Sequence, residues 1–155
     1  MTPGRPAFNF SLQDTSKKNI KLTDFRGKIV LMDFWFTGCG NCKQLTEGMK
    51  PVIEHFKNNP KVVFVGVSVD GDFEEWKKSV KSGQYSNKES IDLYTNDLKS
   101  KHPIIKHYGF SGYPSLLLID GDGKIITGSP PRPVWNSPSK ANELITLIEN
   151  HLIKL

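Results

Sequence analysis

Two cysteines are all the chain has, and they stand close together as Cys39-Gly40-Asn41-Cys42. A pair at that spacing can close a disulfide or supply half of a metal site, and its surroundings decide between the two. Leu45, Met49, Val52, Ile53 and Phe56 follow at i, i+4, i+7, i+8 and i+11, one face of a helix that begins at the cysteines. Unpaired N–H groups and the helix dipole favour an anion there, so Cys39 is expected to be the exposed, acidic nucleophile. Cys42 lies a turn further in, shielded, as the resolving thiol. Such a dithiol is a redox couple: a thiolate attacks a disulfide and the second thiol releases the mixed disulfide. A structural zinc site needs four ligands, and no second CxxC is present. His55, His102, His107 and His151 are scattered and read as surface residues. No metal and no cofactor are expected.

The element that delivers the cysteines is Ile29 to Phe36, apolar throughout except for Asp33. It reads as a strand covered on both faces. An acid there is costly unless it stays neutral or finds partners, so burial should raise its pKa.

Around this core the chain reads as alternating strands and helices. Pro3 to Phe10 is extended and reads as an edge strand with Phe8 and Phe10 on one face, Ser11 to Lys21 is a hairpin, and Leu22 to Lys28 a helical turn ended by Gly27. Pro51 removes a donor inside the long helix and should kink it. Val62 to Val69 is a second buried strand, and Asp70-Gly71-Asp72 caps a helix from Phe73 to Ser82. A short strand at Ile91 to Tyr94 and a helix from Lys99 to Tyr108, despite Pro103, precede a hairpin of Leu116–Ile119 and Lys124–Thr127. Gly128 to Pro138 carries four prolines and reads as an irregular arm. Ser139 to Ile153 closes the chain as an amphipathic helix. The pattern is α/β, with a central mixed sheet flanked by helices.

Asp33-Phe34-Trp35 followed by Cys39-Gly40-Asn41-Cys42 resembles the active-site strand and helix of the thioredoxin superfamily, and Gly112-Tyr113-Pro114-Ser115 before an apolar run resembles its cis-proline loop. Val62 to Asp70 and the opening Pro3 to Phe8 are similar to the TlpA/ResA-like thiol–disulfide oxidoreductases. The resemblance implies one thioredoxin-fold domain over 1–155, with N-terminal strands added and an insertion before the cis-proline loop. It makes Asp33 a proton carrier for Cys42, and Tyr113-Pro114 the backbone dock for an extended substrate. Gly38, Gly40, Asn41 and Trp35 complete the substrate-binding set, Trp35 packing beneath the site. Gly38 stands where the family carries Trp, so access to Cys39 should be wider. Gly66 replaces the lysine that accompanies the aspartate in thioredoxins, and Leu45 the glutamate of ResA-like proteins. Asp33 would then be the only acid serving the dithiol. The implied partners are proteins bearing disulfides or dithiols and a membrane electron donor. The implied compartment is the periplasm, with the protein free or anchored in the membrane, and acting as a monomer and most often as a reductant.

Three other readings compete. A peroxiredoxin-like peroxidase needs a threonine three residues before its cysteine; Phe36 stands there, and Thr37 is out of register. A Sco-like copper carrier uses CxxxC. A redox-silent interaction domain has no need of the dithiol. Net charge is +5 over 155 residues, from lysines spread without clusters, so a solvated surface is favoured over nucleic-acid binding. Met1-Thr2-Pro3-Gly4-Arg5 has no apolar signal-peptide core, and such a start suits a domain taken from a longer precursor.

Overall fold

The computed structural model describes residues 1–134 and 137–155. Its strands are β1 (Ser11–Gln13), β2 (Asn19–Lys21), β3 (Ile29–Trp35), β4 (Val62–Ser68), β5 (Ile91–Tyr94), β6 (Ser115–Ile119) and β7 (Ile125–Thr127). They form one sheet in the order β2-β1-β5-β4-β3-β6-β7. β3, β4 and β5 run parallel; β6 is antiparallel to β3 and β7 to β6. The helices are α1 (Gly40–Phe56), α2 (Phe73–Ser82), α3 (Pro103–Tyr108) and α4 (Pro138–Leu152). No helix among the described residues is long and apolar enough to cross a membrane.

β3 is central because it can be buried on both faces. Ile29 and Leu31 pack with Leu45, Met49 and Val52 of α1 and Leu144 and Ile148 of α4. Val30, Met32 and Phe34 point the other way, against Leu12, Ile104 and Ile105. Each such fully buried side chain contributes about 1.5–3 kcal/mol, so the strand that ends beside the cysteines is among the most firmly held. Pro51 is accommodated inside α1, which runs unbroken to Phe56.

Three expectations change in detail. Pro3 to Phe10 forms no strand of its own; it lies along the β7 edge, where Gly4 N–H donates to the Ile125 carbonyl at 2.8 Å and Ala7 N–H to that of Gly123 at 2.9 Å. The helix expected over Lys99 to Tyr108 is divided, a 3₁₀ turn at Lys99–Lys101 and then α3, which Pro103 starts at a position where its missing N–H costs nothing. His102, read as a surface residue, is 8% exposed, because its Nδ1 caps α3 by accepting the Ile104 N–H at 3.1 Å. The proline-rich arm is irregular from Gly128 to Val134; Trp135 and Asn136, which it also includes, lie outside the described residues.

Between β4 and β6 the inserted segment contributes α2, β5 and α3. β5 joins the sheet between β4 and β1. That placement brings residues distant in sequence under and around the cysteines.

Candidate active site

Cys39 sits at the N-cap of α1, in extended conformation (φ −74°, ψ 106°), and Cys42 lies inside the first turn. They are joined as a disulfide, their Cα atoms 5.2 Å apart. Cys39 Sγ accepts the Cys42 backbone N–H at 3.1 Å. This is one of the donors a helix start leaves free.

The approach to the disulfide is clamped. Thr37 N–H donates to Asp70 Oδ1 at 2.8 Å and its hydroxyl to Asp70 Oδ2 at 2.6 Å, with Ser79 Oγ of α2 also 2.6 Å from the hydroxyl. Gly38 N–H donates to the Tyr85 hydroxyl at 2.7 Å. Gly38 has φ +95°, in the left-handed region where a tryptophan would be strained. On the other side the Tyr113–Pro114 peptide is cis. The Tyr113 carbonyl oxygen lies 3.7 Å from Cys39 Sγ, and the Tyr113 ring meets Phe36 edge to face at 5.7 Å.

The expected open access is corrected here. Cys39 is 5% exposed and Cys42 1%, so the absence of a bulky residue at position 38 does not leave the Cys39 sulfur bare. Tyr113 approaches it from one side and the disulfide partner from the other. Gly38, Gly40 and Asn41 are exposed, and Pro114 is buried behind Tyr113. Trp35, grouped with the substrate-binding residues, is fully buried and packs beneath the site, stacked on Tyr85 with ring centres 4.9 Å apart. Trp76 and Tyr94 form a second stack beside it at 5.0 Å.

Below the cysteines the chemistry is acidic. Asp33 keeps some exposure as a residue, yet its Oδ1 is sealed from solvent and has no hydrogen-bond partner. Desolvation pushes its carboxyl up to about 7; Arg132 pulls it down and Asp92 pushes it further up. Asp92 stands on β5, across Gly66 from Asp33, and desolvation raises it to about 6, against a hydrogen bond from Ser86 at 2.9 Å. Asp33 is therefore not the only acid near the dithiol. Sequence reasoning missed Asp92, although Ile91-Asp92-Leu93-Tyr94 shows the same signal as β3, one acid in an apolar strand. It missed Asp70 and Tyr85 too, and these carry no local signal. Among the described residues no three or more His, Cys, Asp or Glu side chains converge as a metal site would require.

Residues 27–125 match the family model described as thioredoxin-like. The chain is 32% identical over 126 residues to the thiol-disulfide oxidoreductase ResA of Bacillus subtilis, an alignment covering 81% of this chain and 66% of that protein. ResA of Bacillus thuringiensis subsp. konkukian is 33% identical, with 81% and 68% covered, so the chain spans about two thirds of the length of these relatives. Among solved structures, the thioredoxin domain of a thiol-disulfide oxidoreductase from Bacteroides vulgatus superposes with a TM-score of 0.79 at 26% identity, covering 98% of this chain and 99% of that one. On this sequence kinship and this fold, the chain belongs to the thioredoxin-like family, within its ResA-like thiol–disulfide oxidoreductases.

Proposed function

We propose that the protein exchanges its Cys39–Cys42 dithiol with disulfides of protein substrates, acting as a reductant. The observation that carries this reading is the N-cap geometry, in which Cys39 Sγ accepts the Cys42 N–H at 3.1 Å. A thiolate at that atom is favoured by the helix start, while Cys42 stays covered until it must attack. Cys39 is the nucleophile and Cys42 the resolving thiol. Asp33, raised to about 7, takes the Cys42 proton as that thiol attacks the mixed disulfide. Tyr113, whose carbonyl lies 3.7 Å from Cys39 Sγ, offers its backbone to an extended substrate strand, with Gly40 and Asn41 at the rim. The peroxidase reading gains nothing from the structure, since the Thr37 hydroxyl is engaged by Asp70 and Ser79.

The same proposal places the protein outside the cytoplasm, where protein disulfides persist, fed by a membrane electron donor and working as a single-domain monomer. The support for that setting is the ResA-like kinship. The reaction is tested with Cys42→Ser, which should reduce no insulin yet hold a substrate as a stable mixed disulfide on Cys39. Trapping through position 42 in Cys39→Ser instead would reverse the two roles. A Cys39–Cys42 potential near thioredoxin's roughly −270 mV supports the reductant direction, and one near roughly −120 mV overturns it.

A further inference from the structure

Asp33, Gly66 and Asp92 are registered neighbours on β3, β4 and β5, a row across the face of the sheet that α1 covers. Glycine in the middle lets its neighbours close over it: a Cβ at Gly66 would lie only 3.1 Å from Asp92 Oδ1 and 3.2 Å from Trp35 Nε1. Those two atoms and Asp33 Oδ1 are all sealed from solvent and without a hydrogen-bond partner. Trp35 is fully buried, so its indole N–H has no solvent to donate to. Folded proteins leave few buried polar groups unpaired, and three around one residue call for a common cause. Beside the row lies a cavity of about 40 Å³, walled mostly by apolar side chains such as Leu31, Leu45 and Phe64, with Asp33, Tyr85 and Ser86 on its polar side. Ser86 donates to Asp92 Oδ2 at 2.9 Å, which leaves Oδ1 as the oxygen turned toward Gly66.

We propose that Asp92 is a positioning residue of the exchange reaction, a second buried carboxylate whose charge, one strand beyond Gly66, sets how readily Asp33 takes up and gives back the proton of Cys42. This rests on the reading of Asp33 as proton carrier for Cys42. When Cys42 resolves a mixed disulfide, its S–H proton goes to the Asp33 carboxylate, and the thiolate attacks Cys39 Sγ. The bond from Cys39 to the substrate sulfur breaks, the Cys39–Cys42 bond forms, and the substrate leaves as a thiolate that takes its proton from solvent. Asp33 then returns the proton it received to solvent. Two carboxylates this close titrate as a pair, so the charge on Asp92 sets how readily Asp33 holds the proton. The other charged group acting on Asp33 is Arg132 from the arm, and Tyr85 from the loop after α2 lines the same cavity.

The test is the rate of resolution of a Cys39 mixed disulfide with a small aromatic thiol, followed by stopped flow from pH 5 to 9. Rates are read relative to each protein's alkaline plateau. Asp33→Asn should remove the acid limb. Asp92→Asn should move it to lower pH, so that the relative rate at pH 6 rises by about twofold or more, because a like charge beside Asp33 is gone. In the Asp33→Asn background, Asp92→Asn should move nothing. A limb that Asp33→Asn abolishes and Asp92→Asn leaves in place overturns the inference while sparing the role of Asp33. A limb that survives Asp33→Asn overturns that role as well. Carbon-13 titration of the two carboxyls in the wild-type protein needs no variant: each curve should carry the inflection of the other, and two independent curves sink the pairing.

Discussion

The rim and the floor of the active site follow opposite rules. At the rim, Thr37 and Gly38 have their backbone donors met by Asp70 and Tyr85, and the Thr37 hydroxyl lies between Asp70 and Ser79. On the floor, Asp33 Oδ1, Trp35 Nε1 and Asp92 Oδ1 are sealed in without partners. A saturated rim fixes where Cys39 stands. An unsaturated floor is costly in stability, and such a cost is accepted where groups must change protonation. Changes at the rim should therefore alter stability and access, and changes on the floor the dependence on pH.

The largest effect belongs to Asp33→Asn. Loss of a positioned proton carrier should slow resolution near neutral pH by about a hundredfold, with Cys39 still reactive. Stability moves the other way. The folded carboxyl sits at about 7 against an ordinary 3.8, so the native state holds an extra proton between those values. Wild-type stability should be greatest below the lower value, decline as pH rises to the upper one, and then level off. An amide has no charge to bury, so oxidised Asp33→Asn should be more stable at pH 8.5, by on the order of 2–4 kcal/mol. Urea unfolding at pH 5 and 8.5 checks the sign. A wild-type midpoint independent of pH would remove the floor's distinction from the rim.

Asp70→Ala is the corresponding break at the rim. Thr37 loses two hydrogen bonds to a carboxylate, and partial exposure limits the cost to about 2 kcal/mol, or roughly 4–8 °C in Tm. Alkylation of Cys39 in the reduced protein should quicken as the approach loosens. The acid limb of resolution should stay where it is. A limb that moved would mean that the rim also tunes the protons.

Legibility in the sequence divides along the same line. The strand, the cysteines and the helix after them are contiguous, and the apolar periods on either side of Thr37 show the change from strand to helix. Asp33 stood out because nothing else in its strand is polar. The rim did not, because Asp70, Ser79 and Tyr85 reach Thr37 and Gly38 across 33 to 47 residues, through contacts that no local spacing encodes. Asp92 needed the register: only the pairing of Gly66 with both Asp33 and Asp92 shows that two lone acids share one face. Gly66 reads as a missing lysine in the sequence, whereas in the fold it lets Asp92 Oδ1 and Trp35 Nε1 close in beside Asp33. The divided helix at Pro103 and the capping role of His102 belong together, since a proline that starts a helix needs a cap before it.

Tyr85 is the residue that belongs to both regions, and Tyr85→Phe is the finest test of their separation. Its hydroxyl accepts the Gly38 N–H at 2.7 Å, while its ring stacks on Trp35 at 4.9 Å with only 5° between the planes. Lys43 Nζ also stands 5.6 Å from the ring centre. Phenylalanine keeps the stack and the cation contact and removes a single acceptor. Gly38 is exposed, so water can replace that acceptor, and the cost should be about 1 kcal/mol or less, roughly 2–4 °C in Tm at most. Alkylation of Cys39 should rise slightly. The pH profile carries the decision, because Tyr85 also lines the cavity beside Asp33. If its hydroxyl serves only the rim, the acid limb stays fixed while Tm falls. If the limb shifts with Tm unchanged, the hydroxyl also acts on Asp33, and rim and floor are one network.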